Sequence, residues 1–157
     1  MNEKELTGIV DAVVRNMADV SNMTLDMALA LAETVRKKAS EIGVKAVVAI
    51  ADRGAHPVLV QCMDDSYIAS YDIALNKAYT CVSLKMPTWK LSELAKPGSS
   101  LYGIQFTNQG KIVIFGGGEP LYNRKGEIIG AIGVSGGSES EDTALAAYGK
   151  EIFEKGN

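Results

Sequence analysis

Apolar residues recur at helical spacing in the first quarter of the chain. Leu6, Ile9, Val10, Val13 and Met17 share one stripe, which predicts a first helix. Leu25, Ala28, Leu29, Ala32, Val35, Ala39 and Ile42 make a second, with Thr24 as its N-cap and Gly43 as the residue that ends it. The pattern then changes to a run rich in β-branched residues over 44–51, expected to be a strand buried on both faces. Asp52-Arg53-Gly54 has hairpin-turn chemistry, with Gly54 free to take positive φ. Residues 57–63 are the returning strand. Pro57 begins it, because a proline has no N–H for a ladder.

Residues 66–84 read as the longest helix. Ile68, Tyr71, Leu75, Ala78 and Val82 form one apolar stripe, and Tyr67, Ala74 and Cys81 widen it. Such a helix is buried, either in its own domain or against another copy. Lys77 lies on the widened side, an unusual place for a surface lysine. Asp64 or Asp65 is expected to cap this helix. Pro87 stops it, and residues 88–95 form a short helix before Pro97-Gly98. Residues 111–115 read as a strand, residues 123–126 as a turn and residues 127–134 as another strand. Ser138 and Glu141 form a capping-box pair at the start of a last helix over 139–153. Strands joined by tight turns pair antiparallel, so helices pack on an antiparallel sheet.

Length and composition fit this picture. A chain of 157 residues with 46% hydrophobic and 22% charged residues can bury a core as one domain. The expected division is an N-terminal helix and linker over 1–23 and a core over 24–157. A net charge of −3 gives no footprint for nucleic acid or an anionic membrane, and no run is long and apolar enough to span a bilayer. The N-terminus lacks a signal-peptide pattern, which makes the expected location cytoplasmic. Cys62 and Cys81 form no CxxC and are expected to be buried, reduced thiols.

Two glycine-rich segments stand out, Phe115-Gly116-Gly117-Gly118 and Gly130-Ala131-Ile132-Gly133-Val134-Ser135-Gly136-Gly137. Neither is a P-loop, because no Gly-Lys-Ser/Thr follows, and neither has the GxGxxG spacing of a dinucleotide site. Gly133-Val134-Ser135-Gly136-Gly137 matches GxSxG, but the one histidine, His56, precedes it in the chain, against the order of that hydrolase fold. The triple glycine has two readings. It is a backbone surface open to a ligand, or a place where a helix crosses the sheet closely.

With Val47-Val48-Ala49-Ile50-Ala51-Asp52-Arg53-Gly54, Met63-Asp64, Ala74-Leu75-Asn76-Lys77-Ala78, Gly116-Gly117-Gly118-Glu119-Pro120-Leu121 and Asp142, these segments make the chain resemble the GlcG/HbpS-like domains. It is also similar to the C-terminal half of PduO-type cobalamin adenosyltransferases. The resemblance covers about Leu25 to Phe153. It implies an α+β, profilin-like or PAS-like fold, with helices on an antiparallel sheet of about five strands, and a homo-oligomer. It also implies heme as a cofactor for some members, and small hydroxy-acid or diol metabolism as the setting of others.

The expected function is therefore non-catalytic binding of a small molecule, heme or a related cofactor. The alternatives are an accessory enzyme acting on a small hydroxy acid, diol or cofactor, and a structural oligomeric partner. The candidate pocket is Lys77, Gly116, Gly117, Gly118 and Glu119, between the long helix and the glycine-rich strands. Lys77 there meets a ligand carboxylate, or else forms an ion pair with Glu119 or across an interface. His56 is the candidate heme-iron ligand, and Cys62, Met63, Met86 and the tyrosines are other candidate donors.

Overall fold

The computed structural model describes residues 2–15 and 20–155. Met17, assigned above to the first stripe, lies outside them. Helices α1 (Glu3–Arg15) and α2 (Leu25–Glu41) lead into strands β1 (Val47–Asp52) and β2 (Pro57–Cys62). Helices α3 (Ile68–Leu84) and α4 (Thr88–Leu94) follow, then β3 (Gly118–Tyr122), β4 (Ile128–Ser135) and α5 (Glu139–Lys155). The local signals for α2 and α5 are realised as bonds. Thr24 Oγ1 accepts from Met27 N, and Gly43 follows the α2 C-cap with φ 76°. Ser138 N donates to Glu141 Oε2 at 2.8 Å while Glu141 N donates to Ser138 Oγ at 3.2 Å, a reciprocal capping box.

The four strands form one antiparallel sheet in the order β2-β1-β4-β3. Large and small residues alternate along the central strands. Val48, Ile50, Ile132 and Val134 face α2 and α5 and form the main core with Leu31, Val35, Leu145 and Phe153. Val47, Ala49, Ala51 and Ala131 face α3, where they meet Ala74, Ala78 and Cys81. The small-residue face lets α3 lie close to the sheet. Gly118 and Gly133 are paired in register beneath it. A Cβ at Gly133 would overlap the carbonyl oxygen of Ala74, and one at Gly118 would stand 2.8 Å from Cys81 Sγ. The glycine-rich strands are thus a seat for a helix.

The fold is α+β with an antiparallel sheet, as expected, with four strands among the described residues rather than about five. Residues 111–115 are not a strand, although Ile112 and Val113 are buried. Side chains take the backbone groups a ladder would use. Val113 N donates to Thr80 Oγ1 at 3.0 Å, Thr80 Oγ1 is 3.3 Å from Lys111 O, and Gly116 N donates to Glu139 Oε1 at 3.0 Å. The strand starts later, at Gly118, and holds Pro120 on the sheet edge, where a missing N–H costs no ladder bond.

Four local expectations are corrected. In the first hairpin Ala55, not Gly54, takes positive φ, at 62°. Asp52 Oδ1 accepts from both Gly54 N and His56 N and so fixes the turn itself. Helix α3 begins at Ile68 with Tyr67 as an N-cap that makes no side-chain bond. Asp65, at φ 62°, pairs with Lys45 at 3.3 Å instead. The wide apolar stripe of α3 is only half buried: Ala74, Lys77, Ala78 and Cys81 face inward, while Ile68 is 97% exposed. Of the two thiols, Cys81 is buried and Cys62 is exposed.

Candidate functional site

Lys77 is fully buried, with 0% of its surface accessible. Its Nζ donates to Val134 O at 2.8 Å and to Asp142 Oδ2 at 3.2 Å. The Phe115 ring lies over it, 5.0 Å from Nζ to the centroid. Asp142, on the first turn of α5, also accepts from Gly137 N at 2.8 Å through its other oxygen. Gly117 makes the reach possible: at φ 115°, any Cβ there would stand 2.6 Å from Nζ. Burial lowers the pKa of Lys77 below the ordinary lysine value, and the Asp142 charge opposes that shift. Burial also raises the pKa of Asp142, opposed by the ammonium of Lys77 and the N–H of Gly137. Desolvation therefore disfavours both charges of the pair.

The partner of Lys77 is Asp142, not Glu119. Glu119 stands one position beyond Gly118 on β3, in register with Ile132, which faces the main core. There its Oε1 accepts from Trp89 Nε1 at 2.9 Å, and burial raises its pKa. Gly116 packs under Thr143 of α5, and Gly118 N donates to Thr88 Oγ1 at 2.9 Å. Lys77 and Gly117 are thus brought together, while Gly116, Gly118 and Glu119 form the packed wall behind them.

A cleft of about 270 Å³ opens on the other side of Asp142. Tyr67, Ser70 and Ile73 of the α3 side, Phe115, the turn Ser135-Gly136-Gly137, Glu139 and Asp142 line it. The sequence reading missed Phe115, Asp142 and the α3 N-terminal side as site residues. Asp142 is 65 positions from Lys77 in the chain, and no spacing rule links residues so far apart. Ser135 lies within this lining, with its Oγ hydrogen-bonded to Ser70 Oγ at 3.0 Å and buried. His56 is at the far end of the sheet, because Ser135 pairs with Val47 while Gly130 pairs with Asp52 beside the turn. That separates the two by about 17 Å at the rise of a strand, so no Ser–His pair exists.

His56 stands in the exposed hairpin turn, its Nδ1 3.4 Å from Asp52 Oδ1. Among the described residues, no group of three or more His, Cys, Asp or Glu is arranged to hold a metal ion. A wider cleft of about 480 Å³ lies between α2 and β2 and includes Arg36, Lys45, Cys62 and Met63. Of its two sulfurs, Met63 Sδ already accepts from Ala46 N at 3.3 Å, and Cys62 stays exposed at the end of β2. No helix among the described residues is long and apolar enough to cross a membrane.

The family model for haem degrading, HbpS-like proteins matches residues 23–151. A 15.0 kDa protein of Citrobacter freundii from the dhaT-dhaS intergenic region is 45% identical over 134 residues, which are 85% of this chain and 94% of that one. The crystal structure of protein ORFY from Klebsiella pneumoniae is 44% identical with a TM-score of 0.83, covering 87% of this chain and 93% of that chain. The crystal structure of a PduOC–heme complex is 36% identical with a TM-score of 0.75, covering 78% of this chain and 88% of that chain.

Proposed function

The chain belongs to the HbpS-like family, and from that premise we propose that it is a non-catalytic small-molecule-binding domain whose ligand enters the cleft beside Asp142. The observation that carries this reading is the cleft itself. It is bounded by α3, Phe115 and the start of α5, and its floor is the carboxylate of a buried ion pair. The serines and carboxylates around it already have partners: Ser135 with Ser70, Asp142 with Lys77 and Gly137, Glu139 with Gly116. A site whose polar groups hold each other supports binding over turnover. Its volume of about 270 Å³ falls just below the usual range of ligand pockets and suits a small molecule.

Ligand-observed NMR with 1,2-propanediol, glycolate and propanal tests the proposal. Binding of at least one probe, lost when Ile73→Trp fills the cleft and kept in His56→Ala, supports it. No probe binding, or binding indifferent to Ile73→Trp, overturns it.

A second reading, heme binding, is favoured by the similarity to the PduOC–heme complex. The cleft beside Asp142 is a poor fit for a heme: its two carboxylates repel the propionates, and it offers iron neither histidine nor sulfur, only the Tyr67 hydroxyl at its rim. Donors open to an iron atom, His56, Cys62 and Tyr67 among them, stand on the surface. A heme held by any of these needs a second wall from outside the chain. Exposed Tyr67, Ile68 and Tyr71 on one end of α3 support self-association as the source of that wall. Hemin titration of wild type and His56→Ala tests this. A saturable Soret band abolished by the substitution supports His56 as ligand, and the absence of any saturable band overturns the heme reading.

A further inference from the structure

The cleft ends on the two side chains that hold a buried amine. Asp142 both lines the cleft and bonds Lys77 Nζ, and Phe115 both lines the cleft and covers that nitrogen. We propose that Lys77 captures a short neutral aldehyde in this cleft as a reversible imine, with Asp142 as its proton partner. The proposal rests on the cleft being the ligand site.

A lysine amine is a nucleophile only in its neutral form, and burial beside a carboxyl group is a general way to reach that form at neutral pH. Lys77 meets the condition by geometry, since its nitrogen has no access to water and Asp142 is the carboxylate bonded to it, with Glu139 acting only from further off. The directions of the two pKa shifts agree, the amine down and the carboxyl up. The ion pair and its neutral form, amine plus carboxylic acid, hold the same atoms and differ by one proton moved across 3.2 Å. The imine requires the half-exposed Phe115 side chain to rotate outward and open a path from the cleft to Nζ.

The step balances with these two groups and water. The nitrogen lone pair forms the C–N bond, and the carbonyl π pair moves to oxygen, which takes the Asp142 proton. The added nitrogen returns a proton to Asp142. Asp142 then protonates the carbinolamine hydroxyl, which leaves as water while the nitrogen pair forms C=N. The product is an iminium ion beside the Asp142 carboxylate, and hydrolysis reverses each step. Nothing is oxidised or reduced.

The lining selects the aldehyde. Glu139 and Asp142 at the cleft disfavour an anionic 2-oxo acid, and a cleft of about 270 Å³ suits a small molecule.

The test uses unmodified protein. Wild type is incubated with propanal at neutral pH, reduced with sodium cyanoborohydride, digested and mapped by mass spectrometry. The expected result is propyl labelling of Lys77 at least about tenfold faster than the mean exposed lysine, because an amine whose pKa burial lowers is more often neutral. Phe115→Ala should speed it further, and Ile73→Trp should suppress it. Labelling confined to exposed lysines overturns the imine. If propanal then still binds by NMR in an Ile73-sensitive way, the cleft stands and only the imine falls. If no probe binds, both fall. Glyoxylate labelling Lys77 as fast as propanal overturns the choice of a neutral aldehyde.

Discussion

Lys77 and Asp142 meet at 3.2 Å with 0% and 6% of their side chains exposed, although the chain separates them by 65 positions. Each is the other's main compensation for lost water. Lys77→Met therefore leaves a carboxylate buried without its cation, and should cost about 3–5 kcal/mol in denaturant unfolding. The double variant Lys77→Met/Asp142→Asn should cost clearly less than the two single losses added. Additive losses would show that the pair is not coupled.

Glu119 gives the pH prediction. Burial raises its folded-state pKa above the ordinary 4.5. A carboxyl shifted upward contributes stability that is complete below its unfolded pKa and is lost as pH rises through the folded one. Glu119→Gln keeps an acceptor for Trp89 without the charge. The variant should be more stable than wild type at pH 7, and the difference should vanish at and below about pH 4.5. Chemical denaturation across pH checks this, and a gap of constant size would refute it.

Gly133 is predicted to be irreplaceable where Gly126 is not. A Cβ at Gly133 runs into the backbone oxygen of Ala74, which cannot move without lifting α3 from the sheet. Gly133→Ala should cost about 3 kcal/mol or more, at or beyond the top of the usual overpacking range. Gly126→Ala meets open space at φ 76° and should lose only the left-handed strain of about 1–2 kcal/mol. Equal midpoint shifts for the two variants would count against the close seat of α3.

The two thiols should separate cleanly. Cys62 is exposed, while Cys81 is buried between α3 and the sheet and its pKa is pushed well up by burial. A water-soluble disulfide reagent should modify one thiol per folded chain, at Cys62, and both in denaturant. Rapid native labelling of Cys81 would mean that α3 lifts readily.

Much of the frame was present in the sequence as local chemistry. Thr24, Gly43, Asp52, Pro57, Ser138 and Glu141 act on backbone within a few residues of themselves, so their identity alone marked the ends of α2, β1, β2 and α5. The alternation of Val48 and Ile50 with Ala49 and Ala51 likewise carried the two faces of β1. What tertiary structure decided was competition between distant groups. Thr80 and Glu139 took the backbone bonds that residues 111–116 would have needed to be a strand. Register turned Glu119 to the main core and left Asp142, not Glu119, to meet Lys77. The glycines next to Lys77 marked a close approach in the sequence, but only the packed chain determined that α3 makes it and that the cleft opens beyond Phe115. A desolvated charge takes whichever opposite charge the fold brings within reach, and spacing along the chain carries no record of that distance.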